Sequence, residues 1–418
     1  MLIFHFVVKM LKDDLFEHCN MRLLVAAMFL SAMMAPVVVA ESKWDEDGWL
    51  QNLGKQYVES GDEFGCYGMP HLDWKADPGA VSIECREYIE QRIDASKWGK
   101  RPISTYTPNG LTAAQHTTVG TQGFMVHGDE TGVVDTAWHS SGDEPVSEYD
   151  WFNLGRRGGS LEKGIADINE IESELDSGGL VNMYWIGRID DLTVRHDSEV
   201  IEMIESRNDV WFTTWGEAYS YWTVERCNQF NHSIDGNILH FEHENTAACN
   251  AAAPWAWNVP VTWIIDIGNS TVIESDFAQM YELDSNTKEG WRQEGSIIYA
   301  SVLSGHEVEF TLSEDTDYDV LGRTQFFNNK SAALTIAGHT TSELFLWSKR
   351  FDENQKLVFT WLVTPKELDT GLAWLPYAGL FVLIASVSGI FLLVKRDAQQ
   401  LSRAEDLMPI VAGGEDDE

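Results

Sequence analysis

The sequence predicts an α/β unit, then a β-rich unit, then one membrane-spanning helix. Three observations carry that expectation. Strand-like and helix-like runs alternate through residues 41–226. From residue 227 the chain changes to short β-rich runs with polar breaks between them. Near the end, Gly371–Val394 is an apolar run without a charge.

Taken in order, Met21–Ala40 reads "MRLLVAAMFLSAMMAPVVVA", one Arg and then an apolar run, with Val38 and Ala40 at the small-residue positions of a cleavage site. Residues 1–40 are therefore expected to be a signal region cut before Glu41, with translation starting at Met1 or Met21. "DPGAVSIECREYIEQRID" (77–94) has helical spacing, and "RPISTYTPNG" (101–110) is a short strand ending in a turn. "QGFMVHG" (122–128) is another strand. "SLEKGIADINEIESELDSGG" (160–179) reads as a helix stopped by two glycines, and "LVNMYWIG" (180–187) as an apolar strand. "DSEVIEMIESR" (197–207) is a helix capped by Asp197 or Ser198; "DVWFTT" (209–214) is a strand and "GEAYSYWTVER" (216–226) a helix. Such alternation implies a mostly parallel sheet, open or closed into a barrel.

Residues 227–365 contain "GNILHFEHE", "VPVTWIIDIGN", "GSIIYASV", "HEVEFTLSE", "SAALTIAG", "SELFLWS" and "QKLVFTWLV". Short strands at this spacing predict a β-sandwich. Three N-x-[ST] sequons, at Asn231, Asn269 and Asn329, all fall in this half. As a helix, Gly371–Val394 would be about 36 Å long, enough to cross a bilayer. Lys395 and Arg396 follow it and Glu367 and Asp369 precede it, so the acidic tail, residues 395–418, is expected in the cytoplasm and the body at the cell surface.

The net charge of −37 excludes nucleic acid as a partner, because phosphates are held by Lys and Arg. Of five cysteines, Cys19 precedes the mature chain; Cys66, Cys85, Cys227 and Cys249 remain. An even number in an exported chain points to disulfides. Of three pairings, the local one, Cys66 with Cys85 and Cys227 with Cys249, closes short loops within each unit.

The run "GGLVNMYWIGRIDDLTVRHDSEVIEMIESRNDVWFTTWGEAYSYW" resembles the last third of a polysaccharide deacetylase (NodB-type) barrel. "TYTPNG" (105–110) is similar to that family's Tyr-x-Pro-x-Gly turn, and "GDEFGCYGMPHLDW" (61–74) to its metal-binding segment. The resemblance covers about residues 61–300 and implies a (β/α) barrel over residues 41–226, incomplete at its N-terminus, followed by the sandwich. In an active member, two histidines four apart and an aspartate hold a divalent metal that activates water. A second aspartate is the base, and a later histidine protonates the leaving amine.

Here the first metal histidine falls at Tyr67 and only His71 is kept. The one acidic cluster near the place of the early Asp-Asp pair is "WDEDG" (44–48), where Asp45 or Asp47 could imitate it, and Trp185 or a neighbour stands where the later histidine belongs. The resemblance thus implies no cofactor, or a zinc-like ion at His71 if the chain is active. His127 and His139 could join His71 in a replacement site; His196 reads as exposed. His240 and His243 fall on opposite faces of a strand. Arg156 and Arg157 read as a solvated pair or an anion contact. Tyr67, Tyr106, Asn109, Trp185, Arg188 and Asp190 lie in or beside loops after strands, where parallel α/β sheets place their ligands. Trp138, Trp151, Trp185, Trp211, Trp215 and Trp222 offer core or sugar-stacking rings. The chain has no Gly-rich phosphate loop, no G-x-S-x-G elbow and no H-E-x-x-H. The expected function is non-catalytic binding of envelope carbohydrate. The alternatives are a metal-dependent deacetylase with an unusual site and a structural, partner-binding surface protein.

Overall fold

The computed structural model describes residues 49–129, 138, 140–152, 154–158, 160–161, 166–185, 191–245, 251, 254–339, 356–365 and 375–406. The signal-like start, Asp45, Asp47, His139, Arg188, Asp190, Cys249, "SELFLWS" and the tail beyond residue 406 lie outside them. Glu46–Lys366 forms one unit.

At the centre of this unit is a curled parallel sheet of eight strands. They are β1 (Glu63–Cys66), β2 (Ser104–Thr107), β3 (Val126–Asp129), β4 (Ser160–Leu161), β5 (Gly179–Trp185), β6 (Val210–Thr213), β15 (Ala332–His339) and β16 (Phe359–Val363). The order is β3-β2-β1-β16-β15-β5-β4, and β6 shares the β16 edge of β15. A parallel bridge from Gly128 to Leu154 continues the curl beyond β3.

Two strands expected in the sandwich, "AALTIAGH" and "FTWLV", therefore lie in the middle of the parallel sheet. Their composition explains this. Every residue of β16 is buried, as is every residue of β15 except His339. Strands covered on both faces read as continuous apolar runs rather than alternating ones. The α/β unit does not end at residue 226; the chain leaves it there and comes back.

Between these visits run two four-stranded antiparallel sheets. One, ordered β10-β13-β8-β7, comprises β7 (Asn228–Asp235), β8 (Ile238–Asn245), β10 (Val272–Ser275) and β13 (His306–Leu312). The other, ordered β11-β12-β9-β14, comprises β9 (Val261–Asp266), β11 (Gly290–Glu294), β12 (Ile297–Val302) and β14 (Asp319–Arg323). Leu239, Phe241, Val308 and Phe310 of the first join Ile265, Ile298 and Ala300 of the second in one apolar cluster. Alternation explains it: the intervening His240, Glu307 and Glu309 face solvent.

The helices of the unit are α1 (Gly54–Ser60), α2 (Pro78–Glu90), α3 (Ala113–Thr121), α4 (Ile168–Ser177), α5 (Asp191–Ser206) and α6 (Trp215–Cys227). α2 begins where Asp77 accepts the Ala80 N–H and Pro78 follows, and α3 opens on a Thr112–Gln115 capping box. The helix expected over 160–179 is only α4, its first residues forming β4. α5 starts six residues before its expected cap, so Asp197 lies inside the helix and is buried. Cys66, at the end of β1, is bonded to Cys85 of α2, as expected. Cys227 is disulfide-bonded too.

The second unit comprises Met1–Asp45 and Glu367–Glu418. Its described part is a single helix, α7 (Leu375–Asp406), whose Tyr377–Gln400 stretch is apolar and long enough to cross a membrane.

Candidate functional site

Four rings meet at the C-terminal edge of the parallel sheet. Tyr67 directly follows β1 and donates its backbone N–H to Val363 O at 2.8 Å, which extends the β1–β16 pairing by one step. Its ring stacks on Tyr106 of β2, with centroids 5.0 Å apart and planes 9° from parallel. The opposite face of Tyr67 meets His339, the last residue of β15, at 3.8 Å. Tyr184 of β5 turns its ring edge to Tyr106 at 6.1 Å. The strand ladder brings these residues together although they are scattered through the sequence: residues i and i+2 share a face, and neighbouring parallel strands set their ends side by side.

His339 Nε2 lies 2.8 Å from Thr364 Oγ1. Burial holds its imidazole down at about 4, so it is neutral near pH 7. The Tyr184 hydroxyl donates to Leu154 O at 3.0 Å.

The floor under these rings is packed. α6 enters the curl with Trp215, whose indole N–H donates to Asn182 Oδ1 at 2.7 Å and whose backbone N–H donates to Thr360 Oγ1 at 2.9 Å. Thr335 donates to the same Asn182 oxygen, and Asn182 Nδ2 donates to Gly155 O. Gly128 makes room for this insertion: a Cβ there would stand 2.4 Å from the Trp215 ring and 2.9 Å from the Tyr184 hydroxyl.

Deeper still lie two enclosed carboxyls. Glu63 accepts from Ser104 Oγ and from the Gly216 N–H at the start of α6, a favourable place for an anion. Burial nevertheless pushes Glu63 up to about 7, and Glu217 nearby adds to the rise. Glu217 accepts from the Trp98 indole at 2.6 Å and from Thr213 at 2.8 Å. Both are almost wholly buried (1% and 3% exposed), so they tie α6 to the sheet and do not meet a ligand at the edge.

The expected site residues part company here. Tyr67 and Tyr106 come together. Trp185 does not join them: it points to the other face of β5, against Phe359 at 5.5 Å and Trp361 at 5.8 Å. Its neighbour Tyr184 takes the place instead. β5 is buried along its whole length, so its sequence carries no sign of that swap. His339 was missed because its strand read as sandwich. Asn109 is exposed in the turn after β2, and Arg188 and Asp190 lie outside the described residues.

His71 lies in a surface turn and pairs with Glu84 at 3.0 Å. His127 is fully buried, 2.8 Å from Phe124 O and 2.9 Å from His116 Nδ1, so it does not join His71. His243 is buried against Val302 O while His240 pairs outside with Glu309, which matches their expected opposite faces. Arg157 is no solvated residue: it is buried, 2.6 Å from Glu174, and donates to the carbonyls of Trp138 and Leu180. All six tryptophans proposed as core or stacking rings are core. Among the described residues, no group of three or more His, Cys, Asp or Glu is arranged to hold a metal ion.

No protein-family model matches the chain, and neither a curated protein nor a solved structure matches it. The edge itself offers half-buried phenols and a neutral imidazole. Such groups exchange hydrogen bonds and van der Waals contact with a neutral polyol. They provide neither fixed charge nor a ready ligand set for a metal.

Proposed function

We propose that this chain is a membrane-anchored surface protein that binds envelope carbohydrate at the Tyr67–Tyr106–Tyr184–His339 edge without hydrolysing it. The observation that carries the reading is the stack itself, with Tyr106 and His339 against Tyr67 and Tyr184 against Tyr106, gathered from distant parts of the sequence at the end where parallel sheets bind ligands. Both faces of Tyr67 are occupied by protein rings. A sugar would therefore meet the edges of the phenols and the outer side of Tyr106, not the face of Tyr67. The same reading takes the scaffold as a divergent polysaccharide-deacetylase-like barrel carrying a β-sandwich. The curl of the parallel sheet supports this, although β15 and β16 stand between β1 and β5 where simple sequential winding would put β6. Tyr67 in place of a metal histidine and His71 held by Glu84 support a reading without metal-activated water.

The test uses the full chain in detergent on an array of acetylated and deacetylated polysaccharides. Binding is expected, weakened about tenfold by Tyr106→Ala, as loss of one aromatic contact of about 1.4 kcal/mol would do. Acetate release with added zinc, abolished by His71→Ala, would establish the deacetylase instead. Silence in both assays would leave the structural, partner-binding role.

A further inference from the structure

The three sequons are alike in sequence but differ in the fold. Asn231 is exposed on β7, the outer strand of its sheet, with Ser233 exposed two residues on. Asn269 is exposed in the turn between β9 and β10, after Gly268 at φ +58°, and Thr271 is exposed as well. Among the described residues, neither carboxamide has a hydrogen-bond partner, and neither the Ser233 nor the Thr271 hydroxyl has one.

Asn329 differs at both ends of its sequon. Its Nδ2 donates to the Tyr299 hydroxyl at 3.2 Å, and the hydroxyl of Ser331 lies 3.2 Å from both Asp209 O and Asp209 Oδ2. Between them, Lys330 is buried, its ammonium donating to Asn208 O and Glu282 O. The segment is locked into the passage from the antiparallel sheets to β15.

We propose that Asn231 and Asn269 carry N-linked glycans and that Asn329 does not. The reaction joins the Asn Nδ2 to C1 of a sugar supplied as a lipid-linked oligosaccharyl phosphate or pyrophosphate. The N–C1 bond forms, the C1–O bond to the lipid phosphate breaks, the phosphate leaves with the bonding pair, and one amide proton passes to solvent. The acceptor needs a free carboxamide and a free hydroxyl two residues on; Asn329 and Ser331 are exposed like the others, but only the first two sites leave both groups unengaged. A glycan on Asn231 would also cover an outer strand, whose open backbone otherwise invites pairing with another chain.

The inference rests on the body lying outside the membrane, which the protease experiment argued below measures separately. The full chain is expressed in a cell whose export route N-glycosylates proteins, and its glycopeptides are mapped by mass spectrometry. Occupied Asn231 and Asn269 are expected, with N231Q and N269Q each removing one mobility step on a gel and N329Q removing none. Bare Asn231 and Asn269 on a chain whose body is outside would overturn the proposal. Occupancy at Asn329 would overturn the claim that the fold selects among the three.

Discussion

The Asp62 carboxylate and the Trp361 indole meet at 2.7 Å across 299 residues of chain. The second Asp62 oxygen accepts the Phe359 N–H at 2.9 Å, so one side chain at the start of β1 fixes the start of β16. Burial pushes this carboxyl from 3.8 up to about 7, against the lowering effect of those two donors. The unfolded chain ionises first, so the stability that Asp62 contributes below pH 3.8 is lost as pH rises through about 7. Asp62→Asn is expected to be less stable than the parent at pH 5, with a deficit that shrinks by pH 8. Urea midpoints at the two values check this; a deficit that grows with pH would refute it.

A titration of opposite sign is expected at His339. Its folded value is lowered from 6.5 to about 4 by burial, so its contribution is complete above pH 6.5 and lost as pH falls towards 4. His339→Phe keeps a ring against Tyr67 and should flatten that part of the stability profile. His339→Ala removes the stack, and a loss of about 1 kcal/mol is expected at pH 7. Equal pH profiles for the Phe variant and the parent would show that the imidazole titrates normally.

Gly128 tests whether the inside of the curl is as full as the Trp215 contacts indicate. A methyl group there would overlap the indole, and the neighbouring Tyr184 hydroxyl leaves little room on the other side. Gly128→Ala should destabilise the chain by about 1–3 kcal/mol, the usual effect of overpacking. Trp215→Phe in the same chain should recover part of it by making space. If Gly128→Ala is neutral, the rings are not locked together.

Of the first six parallel strands, β2, β3, β5 and β6 were legible as elements because apolar runs bounded by Gly, Pro and polar breaks were there to be read, whereas the four residues of β1 were not read as a strand. The Cys66–Cys85 bond followed from an even count and a short loop. The placement of β15 and β16 was not legible. A buried run such as "AALTIAGH" fits a parallel sheet or a sandwich core equally well, and only pairing across more than a hundred residues decides between them. That miss hid His339, one of the four rings of the site. Trp185 failed for a more local reason. Every residue of β5 is buried, so the sequence carries no alternation to say which ring faces which side. The helix over 160–179 misled because its polar first half has helical composition yet supplies β4.

The membrane orientation is the remaining prediction, and it rests on charge as well as length. The apolar stretch Tyr377–Gln400 of α7 covers the thickness of a bilayer core. Lys395 and Arg396 lie towards its far end, and Glu367 and Asp369 precede it. Basic flanks stay on the cytoplasmic side, which predicts that Glu46–Lys366 lies outside. The Cys66–Cys85 bond agrees, since structural disulfides persist in oxidising compartments. Protease added to intact cells should digest the body and spare a tag placed after Glu418. Replacing Lys395 and Arg396 with Gln should weaken that bias and expose part of the tag. A tag cleaved in the parent chain would reverse the orientation, and the edge proposed to bind sugar and both proposed glycan sites would then lie on the wrong side of the membrane.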